Sequence, residues 1–339
     1  MGRSRPSGRR RPGSAGCLPA RRCHPRPRRP LMTMNDMAEM PVQLPTDPKT
    51  GAEARGRYFN SGNAFNIKLP PVPPRILREE PAQALAKSAT GWVLCDLSAE
   101  LDCPFPATTP LMLARYATVL AGESLDTTFT CTASIWYVIE GTATIHVGEE
   151  TAILGKGDVF LLPGGVESRI EATATSVFWA VGNDPQLAFE KAAPITGPEA
   201  ATAFVHYPAA EITHQLDVVY NRDANETTSG HALIFSAEQT EASRNIAPTL
   251  TLSLNTLKPH SFQPPHRHNS AALTLAVAGD PAYSMVDDLK CDWSPWATLL
   301  TPPTAKHSHH NDGDTRAEFL IVQDGGFYYH GRTMGFEFF

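Results

Sequence analysis

The sequence has no apolar run approaching the ~18 residues that span a bilayer, no CxxC pair, and no apolar stretch behind its basic start. The first absence removes any expectation of a membrane-spanning helix. The second leaves Cys17, Cys23, Cys95, Cys103, Cys131 and Cys291 without the spacing of a zinc knuckle or a redox dithiol. The third argues against secretion, so reduced thiols in the cytoplasm are expected.

Acidic residues are also missing from residues 1–30, which hold ten arginines and six prolines. Such a stretch cannot bury enough apolar surface to fold alone. A nucleic-acid-binding arm is disfavoured because no aromatic residue is available to stack on bases. A transit peptide is disfavoured because the prolines oppose an amphipathic helix. What is left is a disordered tail over 1–44, or codons read upstream of a start at Met32, Met34 or Met37. The formal charge of the chain is −6, and without the ten arginines it would be −16. That acidic remainder excludes a nucleic-acid footprint.

The chain does have 339 residues, 42% hydrophobic content, thirty prolines and twenty-four glycines. This is enough for two domains with sizeable cores, and the turn formers favour short strands over long helices. Residues 45–87 read as an extended arm, with the aromatic-amide segment YFNSGNAF inside it. From 88 to 185 short apolar segments alternate with turns: WVLCDL, LMLARYATVLA, SIWYVIE, TATIHVG, TAILG, VFLLP and SVFWAVG. A connector over 186–245 carries a helical candidate, PQLAFEKA. A second series follows over 246–339: PTLTLSLNTLK, AALTLAVAG, AYSMVDD, WATLLTPP and AEFLIVQDGG. This rhythm predicts an all-β protein of sandwich or barrel type. IWYVIEGTATIHV aligns with LTLAVAGDPAYSMV, and GDVFLLPGG with WATLLTPPT, so one small barrel is duplicated.

Seven of the twelve histidines lie between 260 and 330. In PPHRHNSAALTLAVAG, His266 and His268 are two apart, so on a strand both imidazoles face one side while Arg267 faces the other. TPPTAKHSHHN adds His307 and, by the same alternation, His309. By these motifs the chain resembles the cupin superfamily, and its duplication makes it similar to the bicupins. Gly141, Gly157, Pro163 and Gly165 keep that family's frame in the first half, but TTFTC replaces HxH, and Ser134 and Ser168 replace the other ligands. The resemblance therefore implies an all-β bicupin of two double-stranded β-helix (jelly-roll) barrels in tandem, the first without metal ligands.

The second half is similar to the gentisate, salicylate and 1-hydroxy-2-naphthoate dioxygenase group. It offers PHRH, then Asp292, Trp293 and Pro295, then Pro302, His307, His309 and Asn311. The resemblance implies Fe(II) on His266, His268 and His307, with His309 next to the metal acting as general base, as hydrogen-bond donor or as an orienting group. Three neutral ligands leave the full metal charge and open positions for a chelating substrate and dioxygen. Ala272 occupies the position of the family's glutamate ligand. Thr274 stands where the group's carboxylate-gripping arginine is found. Gentisate itself is thereby disfavoured, and Arg244 and Arg332 are candidate replacements for that arginine. The aromatic tail GGFYYHGRTMGFEFF either folds over the barrel mouth or packs at a contact elsewhere. The expectation is an iron-dependent ring-cleaving dioxygenase, a cytoplasmic homo-oligomer taking an aromatic substrate and dioxygen, with no nucleic acid and no membrane partner. The alternatives are a cupin lyase, isomerase or hydrolase using another metal, or a small-molecule-binding cupin without turnover.

Overall fold

The computed structural model describes residues 36–223 and 230–339. The arginine-rich stretch, residues 1–30, lies outside the described residues. Contacts divide the chain into two units, with the boundary after Lys68. In the first, Gln43 and Tyr58 form an antiparallel bridge, and the Asn63 amide donates to the Met40 carbonyl oxygen at 2.7 Å. YFNSGNAF lies in this unit, where Asn60 Oδ1 accepts the Gly62 amide in a tight turn.

The described residues of the second unit hold nineteen strands. The first of them, β1 (Arg75–Leu77), precedes an eight-stranded sheet of β2 (Gly91–Leu94), β3 (Leu113–Val119), β4 (Ser124–Asp126), β5 (Ala133–Val147), β6 (Glu150–Gly155), β7 (Val159–Pro163), β8 (Ser168–Gly182) and β9 (Val205–Tyr207). The later strands are β10 (His231–Phe235), β11 (Thr251–Leu257), β12 (Ser261–His268), β13 (Ala272–Ala278), β14 (Ala282–Val286), β15 (Leu289–Asp292), β16 (Thr298–Thr301), β17 (His307–Asn311), β18 (Ala317–Gln323) and β19 (Phe336–Phe338). They form a six-stranded sheet in the order β1-β16-β13-β18-β11-β10 and a five-stranded sheet in the order β15-β14-β17-β12-β19.

The pairings repeat. β3–β8, β5–β8 and β5–β7 in the first half match β11–β18, β13–β18 and β13–β16 in the second. Likewise β5–β6 and β4–β8 match β14–β15 and β12–β17. The duplication seen in the sequence is therefore a duplication of topology. SIWYVIE and TATIHVG, read as two strands, are one fifteen-residue strand. Gly141 misled the reading: at φ +89° it bends the strand without ending it, and a Cβ there would lie 2.3 Å from Ser176 Oγ. Its counterpart Gly279 does end β13, ahead of Asp280 and Pro281.

The 186–245 connector is more ordered than its composition suggests. It supplies β9 to the first barrel, a helix over Ala209–Tyr220, and β10, which lies beside β11. The helix escapes a periodicity reading because only Ile212 and Leu216 of its face are buried, and its β-branched residues weaken the helical signal. From the 45–87 arm, β1 leaves to pair with β16 of the second barrel.

Burial explains the apolar runs. The first seven residues of β5 are all buried because both faces are covered. Trp136 and Val138 face the first barrel's interior with Phe160 and Phe178. Ile135 and Tyr137 face a core shared with Leu273, Leu275 and Leu320 of the second barrel. Tyr116 bridges the halves, its hydroxyl lying 2.7 Å from Thr298 Oγ1. Cys95, Cys131 and Cys291 are buried free thiols and Cys103 is half-buried. Among the described residues no helix is long and apolar enough to cross a membrane.

Candidate metal centre

The interiors of the two barrels differ. In the first, Trp136 stacks on Phe160 with centroids 5.4 Å apart, and Phe129 and Trp92 pack on Trp136. The position of a motif histidine, Ser168, is bonded through Oγ to Thr127 Oγ1 at 2.8 Å. In the second, a cavity of about 400 Å³ opens between the two sheets. His266, His268, His307 and His309 line it, together with Thr274, Gln263, Thr301, Gln323 and Phe336.

His266 and His268 come from β12, where the two prolines shape the approach. Neither Pro264 nor Pro265 has an N–H to offer β17, and the register shifts between Gln263 and His266. Beyond that shift the strand pairs on its other edge with β19, which matches His266 with Phe338 and His268 with Phe336. Arg267 points outward to Glu337 at 2.5 Å. His307 and His309 come from β17 and are both buried.

His266, His268 and His307 each offer a nitrogen, and the three nitrogens lie within 4.8 Å of one another. Nδ1 of each is already engaged: with the Pro264 carbonyl at 2.8 Å, the Ser270 carbonyl at 2.9 Å and the Ala305 carbonyl at 2.9 Å. A carbonyl only accepts, so Nδ1 carries the proton and Nε2 presents its lone pair to the common point. Burial lowers all three imidazoles' pKa values, that of His268 to about 4 and that of His307 to about 3, with mutual repulsion adding to the effect at His307. Three neutral, preoriented nitrogen donors are the set a divalent first-row metal takes. Ala272 brings no donor to this point, whereas the Gln323 amide nitrogen lies 3.5 Å from His268 Nε2.

His309 is fully buried next to the triad, its ring 5.9 Å from that of His307, and burial holds it neutral. Its Nδ1 lies 2.7 Å from Ser284 Oγ, which accepts Trp293 Nε1–H at 2.8 Å. The hydroxyl's own proton has no other acceptor among the described contacts and goes to Nδ1. The ring proton is thereby placed on Nε2. Ser284 went unnoticed in the sequence; its only signal is its inward parity in AYSMV, between Ala282 and Val286, both buried.

The remaining candidates are distributed unevenly. Thr274 is buried on β13 and lines the cavity, as does Arg244, whose side chain is exposed at the rim. Arg332 does not join them. It caps the helix Gly325–Gly331, bonds the His330 carbonyl oxygen and lines a neighbouring cavity with Ala201 and Thr249. His310 stacks on Tyr283 at 4.5 Å, outside the cavity, and exposed His260 pairs with Asp314 at 2.9 Å. Asn311 ties the end of β17 to the Thr315 carbonyl at 2.7 Å. The aromatic tail folds back as β19, and Phe336 stacks on His266 with centroids 5.2 Å apart.

Comparison with known proteins agrees with this architecture. Residues 118–180, within the first barrel, match the cupin domain family Cupin_2. A gentisate 1,2-dioxygenase of Ralstonia sp is 37% identical over 73 residues, 22% of this chain and 21% of that protein. Gentisate 1,2 dioxygenase 1 of Aquipseudomonas alcaligenes is 35% identical over 80 residues, 24% of this chain and 22% of that protein. The matched stretches thus span about a fifth of these relatives' length. A salicylate 1,2-dioxygenase from Pseudaminobacter salicylatoxidans superposes with a TM-score of 0.66 at 10% identity, covering 83% of this chain and 92% of that one. The chain thus has a two-barrel fold like that of the salicylate dioxygenase, with a cupin match within the first barrel and a triad of histidines in the second.

Proposed function

We propose that the protein is a ring-cleaving dioxygenase for a hydroxylated aromatic compound, using Fe(II) held by His266, His268 and His307. The observation that carries this reading is the convergence of three carbonyl-locked neutral imidazoles in a cavity of about 400 Å³. The local likeness to gentisate dioxygenases supports the same chemistry. Iron bound there would supply a Lewis-acidic template with positions left for a chelating phenol and dioxygen.

The chain's own groups do the rest. The carbonyls of Pro264, Ser270 and Ala305 fix the ring orientations, so little reorganisation accompanies loading. His309, positioned by Ser284 and Trp293, presents Nε2–H to the substrate and stabilises a phenolate or other anionic oxygen by hydrogen bonding. Phe336 and the tail narrow the mouth and shield the ring from water. An anionic oxygen pair would offset the charge of a metal with no carboxylate ligand, which favours a chelating substrate. The free buried thiols suit a reducing compartment, which we take to be the cytoplasm.

The test is oxygen uptake by anaerobically reconstituted protein against a panel of hydroxylated aromatic acids and diphenols. The expected result is uptake that requires both iron and an aromatic substrate and is lost in His266→Ala. Turnover without oxygen would point instead to a lyase or hydrolase.

A further inference from the structure

Gln263 Oε1, Thr274 Oγ1 and Thr301 Oγ1 are buried without a hydrogen-bond partner, and all three residues line the histidine cavity. The three residues are 5%, 2% and 1% exposed, so solvent does not pair them from outside. A buried polar atom left unpaired is costly, and such atoms are few in a native fold. Three in one cavity mark a surface shaped for a ligand's own polar groups.

Their placement defines the geometry. The histidines and Gln263 lie on the five-stranded sheet, and Thr274 and Thr301 on the six-stranded sheet that forms the cavity's other wall. Thr274 pairs with Leu299 across β13 and β16, and Thr301 with Ala272, which makes the two threonines diagonal neighbours on one face. Two other polar side chains of the cavity are already engaged: Asn255 Nδ2 donates to Ser253 Oγ at 2.8 Å, and Gln323 Oε1 accepts Ser270 Oγ at 2.9 Å.

Charge selects the chemistry. Apart from the histidines, Arg244 is the one ionisable cation lining the cavity among the described residues, and it is exposed at the rim. A second carboxylate on the ring, buried against two hydroxyls and an amide, would meet no counter-ion. Hydroxyls both donate and accept, and the Gln263 oxygen accepts, so the complementary group is uncharged and carries a donor. We propose that Thr274, Thr301 and Gln263 form a recognition patch for an uncharged hydrogen-bonding substituent, a hydroxyl or primary carboxamide, on the ring of the bound aromatic. This rests on the dioxygenase reading for the aromatic substrate, and on the unpaired atoms for the patch itself.

Binding to Zn(II)-loaded full-length protein, by calorimetry without turnover, tests it. The probes are two series with a shared chelating end, 4-substituted catechols and 5-substituted salicylates, each bearing hydroxymethyl, carboxamide, methyl or carboxylate. In at least one series the hydroxymethyl or carboxamide probe is expected to bind roughly tenfold tighter than the methyl probe. Thr274→Val and Thr301→Val, near-isosteric changes, should erase that preference while methyl-probe affinity stays within about threefold. The unchanged methyl probe reports an intact fold. Carboxylate probes binding tightest, a preference that survives in the double variant, or no binding by any hydrogen-bonding probe would overturn the proposal. Oxygen uptake separates the two readings. A preference without uptake by the iron form removes the dioxygenase and leaves the patch; uptake without a preference does the reverse.

Discussion

Lowering the pH from 7.0 to 5.5 should weaken divalent-metal binding at the triad by less than about tenfold, although all three candidate ligands are histidines. An ordinary imidazole with a pKa near 6.5 is about three-quarters neutral at pH 7.0 and about one-eleventh neutral at pH 5.5. Three independent ones would cut affinity by several hundredfold, because each must lose its proton to bind. Here burial has already removed the proton. With pKa values of about 4 for His268 and about 3 for His307, both remain neutral throughout this window. Only His266, whose pKa is lowered less strongly, contributes, and at most as an ordinary imidazole would. The expected loss is therefore under about tenfold. Competition titration of Zn(II) or Co(II) at a series of pH values, with the chelator's own protonation corrected, measures it. A loss of several hundredfold, or a slope approaching three protons per metal, would refute the desolvated-triad argument.

Other consequences are equally concrete. Asp324 is buried and pushed up to about 7 by desolvation, while its carboxylate accepts the Ala271 amide at 2.9 Å. Because the folded pKa lies above the unfolded one, its stabilising contribution is full below about pH 4 and is lost as pH rises toward 7. Asp324→Asn should thus gain in melting temperature over wild type between pH 5 and pH 7.5; a constant difference across that range would contradict the burial. Trp136→Ala removes a fully buried ring stacked on Phe160 and should cost about 3–5 kcal/mol in urea unfolding, with less than 1 refuting its central place. Arg115 is buried, pairs with Asp184 at 3.0 Å and lies over the Phe129 ring at 4.1 Å. Asp184→Ala leaves that cation uncompensated and should destabilise by about 3 kcal/mol, read by the same unfolding curves.

The histidine cluster is legible in the sequence because strand parity is local: His266 and His268 share a face, as do His307 and His309, whatever surrounds them. The same parity run backward from His266 places Phe262 inside and Gln263 outside. The structure reverses this, with Phe262 60% exposed and Gln263 buried, since the paired prolines break the register at that point. The Ser284–His309 contact needs the β14–β17 pairing, a cross-strand fact that no single segment carries. The tail's aromatic richness was visible, but its role depends on three residues pairing with β12 from about seventy positions away. Arg332 is the converse case: an arginine in a promising segment, it caps the helix Gly325–Gly331 in a left-handed conformation and lines a neighbouring cavity.

The most direct test of the central claim is the fate of labelled oxygen. Iron-loaded protein is incubated under ¹⁸O₂ with whichever hydroxylated aromatic supports uptake, and the product is weighed by mass spectrometry. The account predicts a ring-opened product carrying both labelled atoms, formed by wild type and not by His307→Ala. A product with the ring intact, with label derived from water, or formed equally by the variant would contradict it.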